Sequence, residues 1–200
     1  MDSLRTAAVI LAAGAARRMG QVKQLLEYQG KPMIGWAIEK AISLDIPVIV
    51  VLGAASNDII SNIDAHRVNI TVNHHWARGI SSSIHIGIQS AMTLVPGLSG
   101  VMLVLADQPG ISSPHLLSLL KEGAASGKMV ATEYMGSLGV PAYIPVKYFE
   151  NLLKLTGDQG AKKLLNESPG SVIRIPFEPA AMDIDTRQDW LNFLQGNSEN

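Results

Sequence analysis

Several stretches of this chain bring together residue types that can do chemistry on an anionic substrate. The first is Leu11 to Lys23, LAAGAARRMGQVK. Its run Ala12-Ala13-Gly14-Ala15-Ala16 has side chains small enough for an anion to approach backbone N–H groups closely. Arg17 and Arg18 follow at once, Gly20 offers a further permissive turn, and Lys23 adds a compact cation. The plain alternative is a strand-to-helix turn carrying surface arginines. The loop holds no Gly-Lys-Ser/Thr and no GxGxxG, so it is neither a Walker loop nor a dinucleotide-binding turn.

A carboxylate follows in the segment Ala106-Asp107-Gln108-Pro109. Mg²⁺ favours one or two carboxylates completed by water and substrate phosphates, and Asp107 suits that role if it faces the first loop. A helix cap or loop hydrogen bond would equally account for it. A second acidic group, Asp183-Ile184-Asp185, alternates about an apolar residue, which places both carboxylates on one face of an extended segment. Either could complete a Mg²⁺ site, or Asp185-Thr186 could cap a last helix. Between these lies Asn73-His74-His75-Trp76-Ala77-Arg78-Gly79-Ile80-Ser81-Ser82-Ser83. The serines read as caps for the orphan N–H groups of a helix start, or, with Gly79, as contacts to a base or ribose through Ser81 and Ser83. Adjacent histidines point apart in an extended chain and no third ligand has matching spacing, so His74 and His75 are not read as a metal site. Trp76 is expected in the core.

These segments need a scaffold that brings them together. Ala7 to Leu11, Val48 to Leu52 and Val101 to Leu105 are short, continuous apolar runs, the pattern of strands buried on both faces of a parallel sheet. Pro32 to Leu44 and Ile80 to Leu94 carry apolar residues at helical spacing and read as crossover helices. Further strands are expected over 129–133, 140–144 and 171–175, helices over 145–154 and 160–166, and a closing helix after Thr186. The expected fold class is α/β, a doubly wound, mostly parallel sheet of Rossmann-like type in one domain over 1–195, with a polar tail at 196–200. In such a sheet ligands bind beyond the carboxyl ends of the strands, where the first loop and Asp107 fall.

The 200 residues are 47% hydrophobic, enough for a full core, and 16 Lys and Arg against 17 Asp and Glu give no field for nucleic acid or an anionic membrane. The absence of cysteine excludes disulfides, thiolate metal sites and a cysteine nucleophile. No run is long enough to span a bilayer, and the start MDSLRT reads as no signal peptide, so a cytoplasmic protein is expected.

With those residues in view, the chain resembles the nucleotidyltransferases that act on molybdopterin, the group of molybdenum cofactor cytidylyltransferase and its guanylyltransferase cousin. The resemblance rests on Leu11-Ala12-Ala13-Gly14, Arg18-Met19-Gly20, Lys23-x-Leu25-Leu26, the Asn73 to Ser83 segment and Asp107-Gln108-Pro109. Gly139-Val140-Pro141, Gly157-Asp158-Gln159-Gly160-Ala161 and Asp183-Ile184-Asp185-Thr186 complete it. It implies transfer of a nucleoside monophosphate to the phosphate of molybdopterin with release of pyrophosphate, serving a molybdenum hydroxylase such as a xanthine dehydrogenase. Ala13 and Val22 stand where the guanylyl branch has glycine and aspartate, which favours CTP over GTP. Leu138, where a polar residue is usual, and Arg187, in place of a proline, depart from the cytidylyl pattern. In this reading Arg18 and Lys23 stabilise the triphosphate and the departing pyrophosphate. Leu11, Ala12, Ala13, Gly14, Gly79, Ser81, Ser83 and Asp107 line the nucleotide site, and Asp107 with Asp185 or Asp183 holds Mg²⁺. Two other readings stand beside it: a cytidylyltransferase for a sugar or polyol phosphate, and a non-catalytic accessory protein that delivers the cofactor.

Overall fold

A computed structural model describes residues 5–15 and 19–196. The large sheet has seven strands, β1 (Thr6–Ala12), β4 (Val48–Leu52), β5 (Asn69–Val72), β6 (Gly100–Leu105), β7 (Met129–Tyr134), β8 (Ser137–Pro145) and β9 (Val172–Pro176). Their order is β5-β4-β1-β6-β8-β7-β9. All its ladders are parallel except those of β8, which runs against both β6 and β7. The turn from β7 into β8 explains the reversal. Met135 and Gly136 both have positive φ (48° and 68°), as a two-residue hairpin of the primed type requires, so β8 folds straight back. The short strands β2 (Glu27–Tyr28) and β3 (Lys31–Pro32) form a separate hairpin.

The three continuous apolar runs read from sequence are β4, β1 and β6, three adjacent interior strands of the sheet. Alternate residues of β1 serve two different layers. Ala7, Val9 and Leu11 pack with Ile84, Ile88 and Ala91 of α3 (Ile80–Leu94) and with Phe149 of α5 (Phe149–Leu153) and Leu165 of α6 (Ala161–Glu167). Ala8, Ile10 and Ala12 pack with Ile34, Ile38 and Ala41 of α1 (Met33–Ile42) and with Leu116, Leu119 and Leu120 of α4 (Ser113–Ser126). Both faces are covered, so β1 is apolar from Ala7 to Ala12, and the hydroxyl of its one polar residue, Thr6, is buried with no hydrogen-bond partner among the described residues.

Differences from the sequence reading are local. The expected helix over 145–154 is a 3-10 turn followed by the five-residue α5. The strand expected over 140–144 is the longer β8. The closing helix, α7 (Arg187–Gly196), takes in Gly196, which was assigned to the tail. The half-exposed edge strand β5, the short α2 (Ser56–Ile60) and α4 have no counterpart among the expected elements. The ends of α4 are nonetheless marked: Ser112 accepts from the His115 N–H, Pro114 lies in the first turn, and Gly127 closes the helix at φ 61°.

The chain runs from β1 through α1 to β4 and β5 on one side, then returns over α3 to β6 on the other side of β1. That reversal leaves a crevice above the carboxyl ends of β1 and β6, where Leu11 pairs with Leu105.

Candidate nucleotide-binding cleft

The crevice is a cleft of about 550 Å³. Its floor is the end of β1 and the loop beyond it, Leu11, Ala12, Ala13, Gly14 and Ala15; Leu105, Ala106 and Asp107 form the side from β6, and Lys23 and Asp185 stand at the rim. The loop is held by a side chain the sequence reading passed over. Buried Gln24 donates from Nε2 to the carbonyls of Ala12 (3.0 Å) and Gly14 (3.1 Å). With those carbonyls turned towards Gln24, the small side chains of the loop leave its backbone open to the cleft.

Lys23 lies between two carboxylates, 2.5 Å from Asp107 Oδ2 and 2.9 Å from Asp185 Oδ1. Asp107 and Asp185 lie 84 and 162 positions from Lys23 in sequence; Asp107 meets it because β1 and β6 are neighbours, and Asp185 because the Ile184 N–H donates to the Asp107 carbonyl (3.0 Å). Burial opposes the charge on Lys23, but the Asp107 carboxylate and then Asp185 outweigh it and hold the ammonium above its ordinary value. The other oxygen of Asp107, Oδ1, is buried and has no hydrogen-bond partner among the described residues. An orphaned carboxylate oxygen beside a second carboxylate suits a divalent cation, and no group of three or more metal-ligating side chains occurs among the described residues. Two carboxylates completed by water and phosphate oxygens is the donor set that Mg²⁺ prefers.

Asp183 and Asp185 flank Ile184, which is fully buried with Met19, Met33, Trp190 and Phe193, while both acids reach the surface as the alternation anticipates. They part company from there. Asp185 enters the cleft; Asp183 does not line it. Burial of its carboxyl, followed by the charge of Asp107, pushes Asp183 up to about 6. The capping role is taken by Thr186 and Asp189. Asp189 Oδ2 accepts from the Thr186 N–H (2.7 Å), and the Asp189 N–H donates to Thr186 Oγ1 (3.2 Å), a reciprocal box that leaves the side chain of Asp185 available to Lys23.

The Asn73 to Ser83 segment also behaves differently from expectation. The N-cap of α3 is Gly79, with no side-chain cap, and the serines donate to carbonyls rather than accept from helix N–H groups. Ser82 Oγ donates to the carbonyls of His75 and Gly79, and Ser81 Oγ to that of Gly157 (2.8 Å). Buried Asn73 ties the turn together, donating to Ser82 and Ser83 and accepting from the His75 N–H. Ser83 and Gly79 line the cleft; Ser81 is buried and turned to Gly157. Trp76 is not core: it is partly exposed and lines the cleft. His74 and His75 are exposed. Asp158, in the Gly157 to Ala161 segment that carries the resemblance but was given no site role there, lines the cleft too. Leu138 lies in the core, and Arg187 is exposed on α7. Arg18, assigned to the triphosphate, and its neighbour Arg17 lie outside the described residues.

A doubly wound sheet with a small-residue loop, a lysine and two carboxylates at its switch point defines the class, an α/β protein with a polar cleft beyond the carboxyl ends of its strands. The chain belongs to the MobA-like NTP transferase domain family, whose model matches residues 8–172, and is thus a nucleotidyltransferase by family. Two relatives show the family's breadth. It is 29% identical over 196 residues to the molybdenum cofactor cytidylyltransferase of Escherichia coli strain K12, covering 96% of each chain. It is 30% identical over 199 residues to the nicotine blue oxidoreductase of Paenarthrobacter nicotinovorans, covering 93% of this chain and 95% of the other. Among solved structures, Rv0371C of Mycobacterium tuberculosis H37Rv in complex with manganese superposes with a TM-score of 0.80 at 25% identity, over 95% of this chain and 98% of that one. No helix among the described residues is long and apolar enough to cross a membrane.

Proposed function

We propose that this protein is a Mg²⁺-dependent cytidylyltransferase of the cytoplasm. It transfers CMP from CTP to the phosphate of molybdopterin and so supplies a molybdenum hydroxylase, such as a xanthine dehydrogenase, with its dinucleotide cofactor. The observation that carries the reading is Lys23 held between Asp107 and Asp185 at the mouth of a cleft floored by Ala12-Ala13-Gly14. The cytidylyltransferase relative and the manganese complex of the structural relative support the nucleotide and the metal respectively.

In this reaction an oxygen of the acceptor phosphate attacks the α-phosphorus of CTP. The new P–O bond forms as the bond from the α-phosphorus to the bridging oxygen breaks, and pyrophosphate leaves with that electron pair. The attacking phosphate is already anionic at neutral pH, so the protein must align the reactants and neutralise charge rather than remove a proton. Asp107 and Asp185 would hold Mg²⁺, with Asp183 behind them, and the ion would supply charge neutralisation for the triphosphate. Lys23, released from the carboxylates, turns its ammonium to the triphosphate and then to the departing pyrophosphate, together with Arg18. The loop from Leu11 to Gly14 seats the nucleotide, Gly79 and Ser83 border its far end, and buried Ser81 acts from behind them by holding the Gly157 carbonyl.

Pyrophosphate release, measured with CTP or GTP and with molybdopterin or a sugar or polyol phosphate, tests the reading. Release that requires CTP and molybdopterin together is expected. Release with another phosphorylated acceptor reassigns the substrate, and tight nucleotide or molybdopterin binding without release makes the protein a carrier rather than an enzyme.

A further inference from the structure

The cleft is chemically lopsided. Lys23 and the open backbone of the first loop occupy one side, and Trp76, Gly79, Ile80, Ser83 and Asp158 form another wall. Asp158 stands exposed at the edge of that wall, away from the Lys23 cluster, where its carboxylate faces solvent or ligand. Asp158 has no ion-pair or hydrogen-bond partner for its carboxylate among the described residues. It is also no third metal ligand, because no cluster of three such side chains forms among those residues.

Its position is built rather than incidental. The turn carrying it closes on itself, with the Gln159 N–H donating to the Thr156 carbonyl and Gln159 Oε1 accepting from the Thr156 N–H. That turn is strapped to the start of α3, 76 residues away, by two hydrogen bonds into one carbonyl: the Ser81 N–H (3.2 Å) and Ser81 Oγ (2.8 Å) both donate to Gly157. Gly79 has φ 97°, and a Cβ there would run into the backbone of Gly157 and the N–H of Asp158. Two glycines and a buried serine therefore fix where Asp158 stands.

A carboxylate accepts hydrogen bonds and repels phosphate, so its partner is a neutral donor. A nucleoside triphosphate carries such donors only on its nucleoside half. We propose that Asp158 is a specificity-determining residue that accepts a hydrogen bond from a neutral donor of the nucleoside, a ribose hydroxyl or the exocyclic amine of the base. This rests on the reading of the cleft as a triphosphate site given above.

Equilibrium titration of the full chain with CTP, UTP, 2′-deoxy-CTP and 3′-deoxy-CTP in Mg²⁺, without acceptor, tests it. The wild type is expected to bind the analogue lacking the contacted donor roughly 10- to 100-fold more weakly than CTP, the range for a hydrogen bond to a charged group. Asp158→Ala should weaken CTP by the same factor and leave that analogue unchanged, so the discrimination disappears. Asp158→Asn, which keeps the shape of the side chain, should lose part of it. A loss tied to UTP identifies the amine, and one tied to a deoxy analogue identifies a hydroxyl. Unchanged affinities in Asp158→Ala, tighter binding, or equal weakening of all four nucleotides would overturn the assignment while leaving the cleft a nucleotide site. A wild type that binds none of the four would instead remove the nucleotide reading itself, and the role of Asp158 with it.

Discussion

At Lys23 two demands meet: an ammonium only 11% exposed needs counter-charge, and two carboxylates at a strand end need a cation. They answer one another, so removing Lys23 leaves both carboxylates without their counter-charge, whereas removing either aspartate leaves Lys23 one partner. Lys23→Ala is expected to fold because Asp107 and Asp185 still reach solvent, and Asp107→Ala because Lys23 keeps Asp185; each is expected to lose turnover by about 10²- to 10³-fold, the range for one preorganised electrostatic contact. Circular dichroism alongside pyrophosphate release checks both halves; full activity in either variant removes that residue from the chemistry. At this scale the sequence exposed much. Lys23, Asp107, Asp185 and the small-residue loop are chemically unusual for their positions and could be singled out without a structure. Trp76 and Asp158 stand in segments that carry the resemblance, but their places in the cleft were not legible there, and Gln24 carried no signal, because each acquires its position from contacts that cross the fold.

Among the elements, the docking of the 157–160 turn on the start of α3 depends most on a single atom. Gly79→Ala adds a methyl group where the backbone of Gly157 lies and asks alanine to hold φ 97°. A cost of about 1–3 kcal/mol is expected from the strain alone, and relief by separation of the turn from α3 would weaken nucleotide binding as well. Urea unfolding and titration with CTP measure the two effects, and a variant with wild-type values in both would mean that the turn yields freely.

His115 on α4 is a second element-scale prediction. The Thr132 hydroxyl gives its proton to the Pro141 carbonyl (2.6 Å), so His115 Nε2 must be the donor in its 2.9 Å contact with Thr132 Oγ1. The ring is stacked on Phe177, and burial lowers its pKa from 6.5 to about 4. Below pH 6.5 the unfolded chain takes up a proton that the folded chain refuses, so the stability due to neutral His115 is present above that pH and is lost as pH falls to about 4. The full loss from this one group is about 3 kcal/mol. Urea unfolding at pH 7 and pH 4.5, repeated with His115→Gln, should show a shallower pH dependence in the variant; parallel curves would reject the linkage.

For the molecule as a whole, we propose one folding unit, because both helical layers rest on alternate residues of the same strand, β1. Ile88→Ala, in one layer, should cost about 2–5 kcal/mol and lower the stability reported from both faces equally. Fluorescence of the three tryptophans, Trp36, Trp76 and Trp190, and far-ultraviolet circular dichroism should then give coincident transitions, and separated ones would divide the chain into independent units. The overall plan was legible because strands covered on both faces read as unbroken apolar runs; 48–52 and 80–94 were anticipated residue for residue. The edge strand β5 is four residues long and half-exposed, and the two-residue strands of the hairpin carry no periodicity at all, so pattern alone could not raise them.

The grip of Gln24 on Ala12 and Gly14 has a consequence for how the loop can move. Two carbonyls with one residue between them converge on a single amide group, so rotating either peptide plane breaks a bond to a donor that is itself buried and has no other acceptor at hand. The loop can shift as a body but resists inverting one peptide at a time, and in that sense its electrical orientation is latched before any ligand arrives.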